Sequence, residues 1–499
     1  MRIQVKRATP AQLRAAVFCV PMFEGEKIEH GPIAELDRTA GRIITAVLQV
    51  GDFKGRLWSD VTLYNPRPSG PRRILLLGVG AEKDLDLERI RQAAARAVQK
   101  TGQLGASSLA LLFPMRTQLG AADVAQALAE GCLLGDYAYD KYKSSSRRTR
   151  VETVQLVAAD RLERGAAEAG VHTGTILAEA TCSARDMVNA PANELTPTEM
   201  AERALASAKK HGFQGKALER KDILKLGMAG LQAVSQGSDQ PPRFIVLEYD
   251  GGAPKSPVYA FVGKGLTFDA GGICIKPAPK MDEMKGDMGG GAAVICAIEA
   301  AARLQIPARV VGLVPATENL LGGSAYRPGD ILRMANGKTV MIDNTDAEGR
   351  LILADALVYA QRYKPQAILD LATLTGAALI ALGQVATAVL GNDRALIDEV
   401  KAAGNRSFER VWELPLWEEF DELIRTPIAD IKNSGGKHGG TITAAAFLKH
   451  FVDKTPWAHL DIAGTSYLDK ADGYRPQGGT GVGVRLLVEF LRGRHAAKA

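Results

Sequence analysis

Three acid-bearing stretches of this chain could do chemistry together. Gly263-Lys-Gly-Leu-Thr-Phe-Asp-Ala-Gly-Gly272 carries Lys264 and Asp269, and Lys276 follows closely. Asp287 stands just before an apolar helical stretch, and Asp343-Asn-Thr-Asp-Ala-Glu-Gly-Arg350 supplies Asp346, Glu348 and Arg350. Taken singly, each has an ordinary explanation. Asp287 could be an N-cap, Asp346 a turn residue, Glu348 an acid in a helix first turn, and the lysines and Arg350 solvated charges. Gathered at one point, the four carboxylates could not all remain ionised without compensation, because like charges oppose joint ionisation. Divalent cations would supply it, and two of them about 3.5–4 Å apart is the arrangement hydrolytic sites use. All seven histidines lie outside these loops, and no His-Glu-x-x-His pattern is present. The donors would therefore be oxygens, with a lysine nitrogen as a possible addition, a set open to Mn²⁺, Zn²⁺ or Mg²⁺. A lysine ligates only when neutral, so its ordinary pKa of about 10.4 must be overcome.

Strands and helices must bring these loops together. Apolar runs over residues 243–249, 258–262, 309–315, 338–342 and 366–371 read as strands. Residues 289–304, 351–362 and 443–451 read as helices, and the alternation implies an α/β domain with a mixed, largely parallel sheet. Loops beyond the carboxyl ends of neighbouring strands in such a sheet are where ligands bind. Upstream, residues 73–78 and 108–113 read as strands around an amphipathic helix over 87–103, a smaller α/β domain. Gly78-Val-Gly80 begins like a dinucleotide fingerprint, but Lys83 stands where the third glycine belongs, which excludes that reading. After a strand over 151–158, a helical stretch over 161–188 reads as a linker. It ends at Asn189-Ala-Pro-Ala-Asn193, and Thr196-Pro197 opens the next helix. The expected division is thus 1–160, a linker helix 161–188 and a catalytic domain 189–499.

Composition fits this plan. The 499 residues are 46% hydrophobic and 24% charged, ordinary for two or three folded domains. Five scattered cysteines without C-x-x-C spacing suggest reduced thiols, and no stretch resembles a signal peptide or membrane span; a cytoplasmic protein with no membrane contact is expected. The net charge of +6 is uneven: residues 1–150 hold 23 Lys+Arg against 15 Asp+Glu, a balance of +8. The run from Lys141 to Arg150 is the most basic, and it reads first as a solvated loop, with an accessory nucleic-acid contact as the alternative.

Asn344-Thr-Asp-Ala-Glu-Gly-Arg-Leu351 resembles the signature of the leucyl aminopeptidase family. Residues 262–277, 281–290, 370–377 and 457–464 are similar to its other site segments, and the likeness spans roughly 185–490. The first 150 residues resemble only the general plan of the family's macro-domain-like amino-terminal domain. The resemblance implies a metallo-aminopeptidase that releases leucine-like residues from peptides, in intracellular peptide turnover. By position, the metal ligands would be Lys264, Asp269, Asp287, Asp346 and Glu348. One ion would be held by the lysine, two aspartates and the glutamate, while the other shares Asp269 and Glu348 and adds Asp346. Lys276 would polarise the scissile carbonyl, and Arg350 would hold a bicarbonate acting as general base. Met284, Thr373 and Gly376 would line the pocket for the first side chain. The resemblance further implies a homohexamer. A rival reading, a DNA-binding architectural or regulatory protein, rests on the basic amino-terminal region. It finds no helix-turn-helix, zinc or aromatic-basic motif. A two-metal phosphoesterase would lack the histidines usual in such sites and ranks last.

Overall fold

The computed structural model describes all residues except 9–11, 13–14, 68–69, 113–118, 146–147, 159–163, 253–255 and 497–499. Phe113, the start of the expected linker and part of the basic run therefore lie outside the described residues. The chain forms two compact units, Met1–Glu179 with Ala471–Pro476, and Ala180–Lys470 with Gln477–Ala499. The helix Arg164–Asn189 runs without interruption through the point of division.

In the first unit, β1 (Arg2–Arg7), β2 (Val17–Phe23), β3 (Asp60–Tyr64), β4 (Arg73–Gly80), β5 (Ser108–Leu112) and β6 (Thr153–Ala158) form one sheet in the order β1-β6-β5-β2-β4-β3. Every pair is parallel except β3 with β4. The inner strands are continuous apolar runs because helices cover them, as the buried Ala-rich face of Leu87–Gln103 shows. In the basic run, Arg148 donates to Gly135 O and Arg150 to Asp136 O and Ala138 O. These two guanidinium groups thus satisfy carbonyls at the end of the helix Ala121–Gly135.

The second unit holds β7 (Gln214–Leu218), β8 (Arg243–Asp250), β9 (Val258–Gly263), β10 (Gly265–Asp269), β11 (Arg309–Asn319), β12 (Ile331–Arg333), β13 (Thr339–Met341), β14 (Ala367–Ala372), β15 (Thr387–Gly391), β16 (Val411–Glu413), β17 (Ile431–Lys432) and β18 (Trp457–Asp461). Two short strands, β19 (Tyr467–Leu468) and β20 (Gly478–Gly479), pair on their own. The large sheet runs β16-β15-β18-β14-β9-β11-β8-β7, with β10 alongside β11. Its centre, β18-β14-β9-β11, is parallel, and β15 and β8 flank it antiparallel. The helices Gly289–Arg303 and Val484–Ala496 pack on each other, and Gly349–Ala360 packs with Gly440–Lys449. Thr196 caps Pro197–His211 as its sequence foretold, its hydroxyl accepting from Glu199 N.

One expectation changes. Residues 338–342 are not a strand of the main sheet; β13 lies in a separate three-stranded sheet, antiparallel to β12 and parallel to β17. The reason is length and burial: only Val340 of its three residues is fully buried, too little apolar surface for a central strand covered on both faces.

The central strands also carry charge inside the core. Asp370 on β14, wholly buried, accepts from Trp457 Nε1 at 2.5 Å and meets His459 Nδ1 at 2.6 Å, both on β18. Burial opposes a charged His459, but the Asp370 carboxylate outweighs it and raises the imidazole above its usual range. Asp355, on the helix Gly349–Ala360, accepts from Leu231 N at 2.9 Å. Burial pushes its carboxyl up to about 8, against the backbone N–H groups of Leu231 and Gly230, which favour ionisation. The folded state thus holds this proton more tightly than the unfolded chain. Its stabilising contribution is full below the ordinary value of 3.8 and is lost as pH rises through about 8. Asp355→Asn, which cannot ionise, should flatten the fall of the thermal midpoint between those pH values; curves parallel to wild type would assign the effect to another group.

Candidate metal centre

Backbone contact sets the first side chain in place. Lys264 follows β9, and its N–H donates to Leu371 O at 3.0 Å while its carbonyl accepts from Gly291 N at 2.8 Å. The helix beginning at Gly289 presses so closely here that a Cβ on Gly290 would lie 2.0 Å from Leu371 O, so only glycine fits. Lys264 is thereby directed inward. Its Nζ lies 2.8 Å from Asp287 Oδ2 and 2.8 Å from Glu348 Oε1, and donates to Thr373 O at 2.9 Å. Asp287 Oδ1 accepts from Thr373 Oγ1 at 2.6 Å.

Asp269 closes β10 beside Asn319 at the end of β11. Its Oδ1 accepts from Gly271 N and Asn319 Nδ2, both at 2.9 Å, leaving Oδ2 to meet Lys276 Nζ at 2.8 Å. The same ammonium reaches Asp346 Oδ1 at 2.5 Å. Asp269, Asp346 and Glu348 each offer an oxygen, all three within 4.8 Å of one another. Thr345 ties these loops together: its hydroxyl donates to Gly271 O, and its carbonyl accepts from Asn319 Nδ2 and Tyr326 OH.

The structure therefore brings Lys264, Asp269, Lys276, Asp287, Asp346 and Glu348 into one pocket of about 450 Å³. Met284, Thr373 and Gly376 line it too, joined by Leu379, Ala463 and Ser466. Arg350 does not line this pocket; it is buried behind Glu348, with Nη1 donating to Asn433 O at 2.9 Å. The sequence reading had not singled out Asn319, Thr345, Tyr326, Asn433 or Asp461. Asp461 holds the 373–376 turn, accepting from Leu374 N at 3.1 Å and Thr375 Oγ1 at 2.6 Å. A signal existed for Asn319: polar Thr317-Glu318-Asn319 ends an otherwise apolar central strand. For Asn433, in a glycine-rich loop, there was none.

Charge in the pocket is out of balance. Burial raises Asp269 well above the usual carboxylate range, and Glu348 and Asp287 raise it further. Burial likewise pushes Asp287 up to about 6 despite Lys264 beside it. Glu348 ends below its ordinary value because Lys264 and Lys276 outweigh its burial. Burial opposes charge on Lys264, yet Asp287, Glu348 and Asp269 keep it protonated, above its normal range. Four carboxylates face two ammonium groups, so the pocket lacks positive charge. This donor set fits divalent cations, which would favour the ionised carboxylates and a neutral lysine.

Comparison with known proteins bears on this geometry. Residues 182–488 match the catalytic domain of the cytosol aminopeptidase family, and residues 19–146 match its N-terminal domain. A probable cytosol aminopeptidase of Geobacter sp. (strain M21) is 44% identical over 493 residues, covering 99% of this chain and 100% of its own. One from Geotalea uraniireducens (strain Rf4) is 47% identical, covering 92% and 93%. Among solved structures, the bottromycin maturation enzyme BotP in complex with Mn is similar at a TM-score of 0.86 and 37% identity, over 96% of this chain and 100% of that one. A lysine-to-glutamate mutant of tomato leucine aminopeptidase gives 0.88 and 31%, over 98% and 96%. The DNA-binding reading gains no support from them. With its two α/β units and its carboxylate-rich pocket, this chain belongs to the cytosol aminopeptidase family and is a metal-dependent aminopeptidase.

Proposed function

We propose that this enzyme releases leucine-like residues from the free amino end of cytoplasmic peptides, using two divalent ions held by Lys264, Asp269, Asp287, Asp346 and Glu348. The observation that carries this reading is the convergence of four carboxylates and two lysines on one pocket with too little positive charge. When bound, two such ions supply Lewis acidity and a water acidified toward neutral pH. Mn²⁺ or Zn²⁺, with Mg²⁺ as a third choice, suit the donors.

The two lysines divide the work by burial. The Lys264 side chain is 3% exposed and belongs to the ligand set; that of Lys276 is 21% exposed and opens to the pocket. Lys276 can therefore donate to the substrate carbonyl oxygen as negative charge grows there, in surroundings where such a bond counts more than in water. The family resemblance would give Arg350 a bicarbonate as general base; here its Nη1 is occupied by Asn433 O, its Nε is buried, and it stands outside the pocket lining. The carboxylate excess favours a substrate's amino terminus over an acylated end. Apolar Met284, Leu379 and Ala463, with small Gly376 and the Thr373 methyl, suit a branched aliphatic side chain. Exposed Ile380, Trp412 and Trp417 on the catalytic unit suit burial between copies, as a hexamer would provide.

Metal-stripped protein should regain hydrolysis of leucine p-nitroanilide on addition of Mn²⁺ or Zn²⁺, whereas Asp346→Ala should not, and N-acetyl-leucine p-nitroanilide should resist both. Folded wild type inactive with every ion would overturn the proposal. Lys276→Met should lower kcat roughly 10²–10³-fold with little change in KM; a KM-only effect would make it a binding residue. A Cβ on Gly349 would come within 2.7 Å of Lys264 Nζ. Gly349→Ala should therefore weaken metal binding in a protein with an unchanged circular dichroism spectrum, measured by the Mn²⁺ concentration at half-maximal activity.

A further inference from the structure

Asn433 is fully buried, one residue beyond β17, and its N–H donates to Met341 O at 3.0 Å, prolonging the parallel pairing of β17 with β13. The two strands run side by side, and the loops leaving them stay together because of this one side chain. Its Oδ1 accepts from Asp343 N at 2.8 Å and Asn344 N at 3.2 Å. Its Nδ2 donates to Asn344 O at 2.7 Å and Ala347 O at 3.2 Å. Both donors and both acceptor sites of the amide are thus spent on the segment 343–347, and Asn433 O accepts from Arg350 Nη1. Asp346 and Glu348 lie within and just after that segment. Asn344 Oδ1 then accepts from Asp346 N at 2.9 Å, continuing the chain of bonds to a site carboxylate.

We infer that Asn433 is a positioning residue of the metal centre: its carboxamide fixes the 343–347 loop so that Asp346 and Glu348 face Asp269, and its carbonyl sets Arg350. No other common side chain does this at that length. Aspartate offers no donors and would set its charge against Asn344 O and Ala347 O; glutamine is one methylene too long; leucine would take this partner from Asp343 N, Asn344 N and the buried Ala347 O, and leave Asn344 O with Ala347 N alone. The loop presents two N–H groups and two carbonyls that no strand partner satisfies, only Asn344 O having a further donor in Ala347 N, and the amide supplies a complement to each. The three short strands β12, β13 and β17 form a sheet apart from the main one. They form a platform that carries Asn433 to the one place from which it can reach both sides of the loop.

This inference rests on the proposed ligand roles of Asp346 and Glu348, and its test separates the two. Metal-stripped wild type, Asn433→Ala and Asn433→Asp are titrated with Mn²⁺, reading the rise in thermal midpoint and, separately, leucine p-nitroanilide hydrolysis. Wild type should be stabilised by Mn²⁺. Both variants should need roughly 10–100-fold more Mn²⁺ for half the effect, as loss of a group that orients ligands typically demands. Saturating Mn²⁺ should restore much of the variants' kcat with little change in KM, a rescue that general destabilisation would not allow. If wild type shows no stabilisation by Mn²⁺, the ligand assignment fails. If it does and the variants match its midpoint, the inference about Asn433 fails. Should Asn433→Ala not fold, Asn433→Asp decides; if neither folds, Asn433 is a folding residue and the inference is overturned.

Discussion

Four acidic side chains crowded beneath a surface, with two ammonium groups to answer them, are the constraint from which the rest of this structure follows. Removing a carboxylate from water is costly unless a positive charge or several hydrogen bonds replace its hydration. Asp269 receives Gly271 N, Asn319 Nδ2 and the Lys276 ammonium; Asp287 receives Thr373 Oγ1 and the Lys264 ammonium. Even so, both aspartates hold their protons more tightly than free aspartate would. The arrangement is poised to exchange protons for dications, which is what a hydrolytic metal enzyme needs of an apoprotein.

Holding such a cluster requires unyielding surroundings, and the large sheet provides them. Lys264 is fixed through its own N–H and carbonyl, between β14 and the helix starting at Gly289, rather than by side-chain packing alone. β14 beside it, and β18 beyond β14, are held in register by Asp370 between Trp457 and His459, a polar trio inside an apolar core. A buried pair of this kind is weak evidence of added stability. What it does supply is direction, since only one alignment of the two strands lets one carboxylate serve both rings. That alignment also sets Asp461 under the 373–376 turn, where Thr373 O meets Lys264.

The site was legible in the sequence to an uneven degree. Asp269, Asp287, Asp346 and Glu348 could be gathered on paper because they stand in loops after apolar strands, Lys264 and Lys276 joined them only through the family resemblance, and the pocket contains all six. The two-unit α/β plan was legible for a similar reason, continuous apolar runs alternating with helical periods. What escaped was the scaffolding made by neutral polar groups. Thr345 and Asn433 both donate and accept through one hydroxyl or amide, and nothing in their local sequence marks a residue whose partners lie 71 to 90 positions away; for Asn319 the polar end of β11 was the one hint. The placing of β13 outside the main sheet was also hidden, because a short run of β-branched residues reads alike in a small sheet and a large one. Arg350 stands between these cases: its position by the site was foreseen, but not that it lies behind the pocket wall.

The order of the chain adds one more consequence. Every charged group of the cluster lies between Lys264 and Glu348, while three of the residues that steady them, Thr373, Asn433 and Asp461, come later and from three different places in the fold. On the ribosome, the segment bearing the cluster therefore emerges before several of the parts that give it shape. Over that interval the stretch 264–348, with nine Lys and Arg against ten Asp and Glu, has nothing that singles out its four site carboxylates from the rest. The pocket is thus completed only when residues from far along the chain, Asn433 and Asp461 among them, fold onto it.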